Sequence, residues 1–203
     1  MDPADDGDPR DRALTWQVVA REPQHDYVIF QTTRHRARHP VTGEERRFTV
    51  LAVPDWVNVI ALTRDRRVVL IRQYRHGAEG VCLEIPGGMV DPGEDHATAA
   101  ARELQEETGY VAASWQQIGV VNPNPAIQPN RLSTWLALDA HRPGGDHGPR
   151  DLDSSEVIDV ELASLAEVTA MLRDGRIDHA LVVAAFTHLL LREGAALVAP
   201  ATP

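Results

Sequence analysis

The segment from Gly88 to Tyr110, GMVDPGEDHATAAARELQEETGY, sets the tightest limit on what this chain can fold into. Its second half runs without a helix breaker and places Glu103, Glu106 and Glu107 at the i, i+3 and i+4 positions of one helical face. Like charges at such spacing cost an exposed helix roughly 0.2–0.5 kcal/mol per pair. A helix that accepts this cost is suited to a cation, and hard divalent ions such as Mg²⁺ are held by a few carboxylates together with substrate phosphates. Upstream, Pro86-Gly87-Gly88 breaks a strand and permits close backbone approach. Asp91-Pro92-Gly93-Glu94 reads as a turn with acids at a helix start, where the helix dipole favours negative charge. Ala97, Ala99, Ala100, Ala101 and Leu104 supply a small apolar face for packing on a sheet, and Gly109 suits the C-terminal cap. The expected unit is loop–helix–loop with one acidic and one packing face.

Composition narrows the chemistry around that unit. A chain of 203 residues with 43% hydrophobic content is long enough for one domain with a real core and a small appendage. A formal charge of −10 argues against bulk nucleic-acid binding, and no apolar run reaches the roughly 18–20 residues of a membrane span. The N-terminus MDPADDGDPRDR is too acidic and polar for a signal peptide, and the single cysteine, Cys82, fits a reducing cytoplasm. All 20 basic residues are arginine. The absence of lysine removes a phosphate loop of the Walker type and any Schiff-base chemistry. No G-x-S-x-G or H-E-x-x-H pattern occurs.

Along the chain, residues 1–12 read as a disordered tail and 13–54 as a small antiparallel β unit, with strands expected at Thr15–Ala20, Tyr27–Arg34 and Arg47–Val53 around a turn at His39–Glu44. Residues 55–193 read as the main domain, and 194–203 as a frayed tail. In the main domain, buried strands are expected over Trp56–Leu62, Val68–Arg75 and Val81–Ile85. Later strands are expected over Trp115–Val121, Leu132–Leu138 and Glu156–Leu162. Ser164 would cap a helix that Gly175 stops, and Asp178–Arg192 would form a second, strongly apolar helix. Strands mixed with three helices imply a mixed sheet between helical layers.

The spacing from Gly88 through Glu94 to Arg102-Glu103-Leu104-x-Glu106-Glu107-x-Gly109 resembles the Nudix box at every fixed position, with Tyr110 where an aliphatic residue is usual. The resemblance implies an α/β/α sandwich and a divalent-metal-dependent hydrolase of diphosphates. Glu103, Glu106 and Glu107 are then the metal ligands, with the Gly87 carbonyl as a further ligand. Glu94 and Arg102 brace the box by pairing. Mg²⁺ and Mn²⁺ both suit such oxygen ligands.

Residues outside the box are similar to the group acting on ADP-ribose and other nucleoside diphosphate sugars. That group carries a Gln-aromatic-Arg strand, here Gln73-Tyr74-Arg75, and a Leu-Glu-x-Pro-x-Gly lead into the box, here LEIPGG with Glu84. The resemblance implies that Arg75 holds a phosphate or the terminal ribose and that Glu84 accepts sugar hydroxyls, with Gln73 and Arg72 as further substrate contacts. Pro125 stands 15 residues past the box, where the group often has a proline. Glu156 in DLDSSEVIDVEL matches the group's late catalytic glutamate, with Asp151 and Asp153 as alternatives. Glu156 and Glu106 are the candidate catalytic groups. A homodimer joined through the β unit is implied, with Tyr27, Phe30 or Arg34-His35-Arg36 reaching the partner's site. The expected reaction yields a nucleoside monophosphate and a sugar phosphate. Nucleoside triphosphates or dinucleoside polyphosphates are the alternative substrates. A nucleotide-binding module without catalysis is the alternative of another class, disfavoured because all four box glutamates are kept.

Overall fold

The computed structural model describes residues 8–145, 150–152 and 157–193. The chain divides into two compact units: one takes residues up to 53 together with 124–130, and the other takes 54–123 and 131 onward.

The first unit is a three-stranded antiparallel sheet of β1 (Gln17–Asp26), β2 (Gln31–Arg38) and β3 (Glu45–Ala52) in sequence order. Its strands lie a few residues from where the sequence puts them, because Tyr27–Phe30 forms a turn and not the start of a strand. The Val28 amide donates to Asp26 Oδ1 at 2.9 Å, and Tyr27 N–H donates to the Phe30 carbonyl at 2.9 Å. An aspartate able to hold the chain two residues on thus overrides the β propensity of Tyr-Val-Ile-Phe. The expected turn at His39–Glu44 is present, with His39 N–H on the Glu44 carbonyl and Gly43 at φ 72°. Residues 9–14, partly within the stretch expected to be irregular, form a short helix α1 (Pro9–Leu14), because Asp8 caps it and Pro9 is preset for a first turn. The segment 124–130 joins this unit through a 2.7 Å bond from Leu51 N–H to the Ile127 carbonyl.

The second unit holds β4 (Trp56–Thr63), β5 (Arg67–Arg75), β6 (Gly80–Glu84), β7 (Gly87–Met89), α2 (His96–Thr108), β8 (Ser114–Val121), β9 (Leu132–Ala140), β10 (Ile158–Ser164), α3 (Leu165–Asp174) and α4 (Ala180–Glu193). The sheet order is β10-β5-β4-β9-β8, with β6 beside β5 and β7 beside β4. Only the β4–β9 pairing is parallel among these strands, so the sheet is mixed, as expected. Strand β4 is central and covered on both faces, which is why it reads as a continuous apolar run. Val57, Val59, Ala61 and Val69 pack with Ala99, Ala100 and Leu104 of α2. On the opposite face Ile60, Leu62, Val68 and Leu70 pack with Val168 of α3 and Val182, Phe186 and Leu189 of α4. This is the α/β/α sandwich expected from the sequence.

Local signals hold where they were strongest. Ser164 makes a full capping box with Glu167, and Gly175 ends α3 at φ 80°. Among the described residues no helix is long and apolar enough to cross a membrane.

Leu104 is fully buried where α2 meets the sheet. Its replacement by alanine is expected to cost about 2–5 kcal/mol, from lost transfer energy and a residual cavity. A urea titration would show a lower midpoint with an unchanged slope.

Candidate active site

Helix α2 is built to present charge. Asp95 caps it by accepting from the Ala97 and Thr98 amides, and Gly109 closes it in the left-handed region at φ 72°. Its buried side sinks Ala99, Ala100 and Leu104, so Arg102, Glu103 and Glu106 face outward together. The Arg102 guanidinium organises them. Its Nε and Nη2 grip Glu94 at 3.0 Å, and Nη1 reaches Glu103 Oε1 and Glu106 Oε2, each at 2.9 Å. A further bond from Nη2 to the Met89 carbonyl ties the cluster to β7. The Glu94 hydrogen bond is the first cause of a raised Arg102 pKa, and the same bond holds Glu94 below the usual carboxylate range.

Glu107, one turn on from Glu103, is 3% exposed, with Oε2 accepting from the Gly87 amide at 2.9 Å. Two glycines make this approach possible. A Cβ on Gly87 would lie 2.3 Å from the Val57 carbonyl oxygen, and one on Gly88 would lie 2.4 Å from Glu103 Oε1. Both distances are closer than real Cβ atoms come, so the backbone at 87–88 is pressed between β4 and the carboxylates of α2. Among the described residues no three carboxylate, histidine or cysteine side chains are drawn around one point as a bound metal would draw them. The donor set nevertheless fits a hard cation: all donors are oxygens, and Glu103 and Glu106 already share one cationic nitrogen.

Strand β5 supplies the second half of the site. Alternation along a strand puts Gln73 and Arg75 on one face and Arg72 on the other. Arg75 Nε and Nη2 form a fork on Glu84 of β6, at 2.8 and 2.9 Å. Glu84 is 3% exposed. Burial works against its charge, but hydrogen bonds from Arg75 and His179, with their charges, prevail and hold its pKa at about 2. The Arg75 pKa is raised, first by its bonds to Glu84 against an opposing effect of burial, and further by the charges of Glu84 and Glu107. Gln73 is half-buried, and among the described residues its Oε1 has no hydrogen-bond partner. Arg72 reaches Glu161 of β10 at 3.3 Å and is not gathered with Arg75.

The late loop is anchored at the same helix. The Asp151 amide donates to the Glu106 carbonyl at 3.2 Å, and Arg150 Nη1 donates to the Ile158 carbonyl at 2.9 Å. Glu156 and Asp153 lie outside the described residues. Pro125 is exposed and belongs to the first unit.

Two histidines escaped sequence reasoning. His179, just ahead of α4, puts Nδ1 3.0 Å from Glu84 Oε2, a partner 95 residues away that no local pattern announces. His96, the first residue of α2, has Nδ1 2.8 Å from Ser133 Oγ and Nε2 3.3 Å from Asp55 Oδ2. This Ser-His-Asp chain is not a nucleophilic triad. Ser133 is 0% exposed, and its Oγ also accepts from Trp135 Nε1. It fastens the start of α2 to β9 and to the lead-in of β4.

A family model described as the NUDIX domain matches residues 54–186. The chain belongs to the Nudix family. Among relatives of this Nudix domain, an ADP-ribose pyrophosphatase of Bacillus subtilis (strain 168) is 26% identical over 74% of this chain and 80% of its own length. A methanol dehydrogenase activator of Bacillus methanolicus is 29% identical over the same shares. An ADP-ribose pyrophosphatase of Mycobacterium tuberculosis (strain ATCC 25618 / H37Rv) is 28% identical over 68% of each chain. The crystal structure of an ADP compounds hydrolase superposes with a TM-score of 0.73 at 24% identity, covering 89% of this chain and 94% of that one, and so shares the fold.

Two outcomes test this geometry. Gly88→Ala would push Glu103 out of its place, so divalent-metal affinity measured by calorimetry is expected to fall while circular dichroism still reports a folded chain. Glu84 has a folded pKa of about 2, below its ordinary 4.5. Its stabilising contribution is therefore complete above the ordinary value and is lost as pH falls toward 2. Urea midpoints of the wild type should fall more steeply across that window than those of Glu84→Gln.

Proposed function

We propose that this Nudix enzyme hydrolyses the diphosphate of ADP-ribose or a related nucleoside diphosphate sugar, giving a nucleoside monophosphate and a sugar phosphate. The observation that carries this reading is the Arg75–Glu84 fork, with Glu84 three residues ahead of Gly87. With Nε and Nη2 committed to Glu84, Nη1 of Arg75 has no hydrogen-bond partner among the described residues. The side chain is 41% exposed. An arginine so fixed presents a preset donor to a phosphate or ribose oxygen, and fork geometry of this kind recognises such anions. The relatives named for ADP-ribose support the same substrate class.

Glu103, Glu106 and Glu107, with the Gly87 carbonyl, would hold Mg²⁺ or Mn²⁺. A bound divalent ion neutralises phosphoryl oxygens and lowers the pKa of water. Arg102 and Glu94 keep the carboxylates oriented. Gln73 lines the substrate side of β5. A carboxylate of the late loop, Glu156 first and Asp151 or Asp153 next, takes the proton of the attacking water. Asp151 in particular is tied to α2 through the Glu106 carbonyl. The reading includes a homodimer joined through the N-terminal sheet, for which the exposed turn residues Tyr27 and Ile29 offer apolar surface. It also includes a cytoplasmic setting, with Cys82 kept as a thiol.

Purified protein incubated with ADP-ribose and Mg²⁺ is expected to release AMP and ribose 5-phosphate, to stop on addition of EDTA and to restart with excess Mg²⁺ or Mn²⁺. Glu107→Gln should lose more than the roughly 10–100-fold typical of residues that only support a metal's ligands. Faster turnover of nucleoside triphosphates than of any nucleoside diphosphate sugar would overturn the substrate class.

A further inference from the structure

We infer that His179 is a positioning residue for substrate binding, which acts by holding Glu84 and through it the Arg75 guanidinium. The inference rests on the proposed role of Arg75 and goes beyond it, to a residue outside the box and outside the strand motif.

The carboxylate of Glu84 is fixed by three nitrogens. Oε1 accepts from Arg75 Nε, and Oε2 accepts from Arg75 Nη2 and lies 3.0 Å from His179 Nδ1. An ionised carboxylate only accepts, so the proton in the last contact sits on Nδ1. The three donors come from two directions: Arg75 from the neighbouring strand, His179 from the approach to α4.

His179 is itself held firmly. Its carbonyl accepts from the Val182 and Val183 amides at 3.0 and 3.1 Å, the first turn of α4. That same turn is pinned by Asn58 Nδ2 on the Leu181 carbonyl at 3.2 Å, and the helix by Val182, Phe186 and Leu189 in the core. The ring is thus presented from a rigid base and not from a free loop.

Core filling does not explain the residue, because its side chain is 37% exposed. Among the described residues its side chain hydrogen-bonds a group that is almost fully buried. Removing the Nδ1 donor leaves Glu84 with Arg75 alone, and an arginine with 41% of its side chain exposed then has other rotamers open to it. The loss falls on how often Arg75 points correctly at the substrate, which is a binding effect present in ground and transition states alike.

The test uses the full chain. His179→Ala is expected to raise KM for ADP-ribose roughly tenfold, the scale of one charge-assisted hydrogen bond, with kcat changed far less. His179→Asn, whose amide can supply an N–H toward Oε2, should restore KM most of the way. In the double variant with Arg75→Ala, His179→Ala should add nothing to KM, since its effect runs through Arg75. An unchanged KM in His179→Ala, or full additivity in the double variant, overturns the inference. A wild type without turnover on ADP-ribose would overturn the proposed substrate and leave the pairing to be read by NMR. There the Arg75 Nε–H resonance, protected by Glu84 in the wild type, should vanish in His179→Ala and return in His179→Asn. Its persistence in His179→Ala overturns the positioning role.

Discussion

Glutamates on one helical face repel, and in this chain a single guanidinium turns that repulsion into order. Arg102 meets Glu94, Glu103 and Glu106 with all three of its nitrogens and still reaches the Met89 carbonyl. No other cation lies in the second half of α2. Everything else in the site depends on this arrangement. The loop before the helix is folded back by Glu94, β7 is drawn in, and Glu107 is left to grip the Gly87 amide from the buried side. The two glycines are the complement of that grip. A side chain at 87 would force the strand away from β4, and one at 88 would displace the Glu103 carboxylate.

The core explains why the arrangement is stiff. Helix α2 rests on the sheet through alanines and one leucine, which allows close approach of helix to strands. Its first residue is fastened by the His96–Ser133–Asp55 chain, and its end is closed by Gly109. Both ends and one side of the acidic helix are therefore fixed independently of any ligand, which is the condition for groups preorganised around developing charge.

The acidic helix, its C-terminal cap Gly109 and the layer order were legible in the sequence because each rests on near-neighbour spacing, whereas its N-cap Asp95 was not singled out. Ser164 and Gly175 mark α3 for the same reason. The N-terminal strands were misplaced because β propensity and turn chemistry compete. Tyr27-Val28-Ile29-Phe30 looks like a strand, while Asp26 and Gln31, bonded to each other at 2.9 Å, close it as a turn. The strand that follows, rich in Arg, His and Thr, carries little hydrophobic alternation to announce itself. In the site, Arg75 and Glu84 were singled out separately, and their mutual fork was not foreseen, since strand register sets it. His179 was invisible, because its meaning lies wholly in a partner on another element. The late-loop carboxylates were named as a group, and only Asp151 among them has a described position.

Helix α4 offers a different kind of consequence. On the reading proposed above, the residues that cut and the residues that hold belong to separate parts of the molecule. The acidic face is on α2, whereas the grip on the substrate passes from β5 and β6 to the threshold of α4. A lineage could therefore exchange one sugar nucleotide for another by drifting at α4 and its contacts while the catalytic helix stays under constraint. On that reading, the contact between Glu84 and His179 would be where a change of preference leaves the catalytic helix untouched.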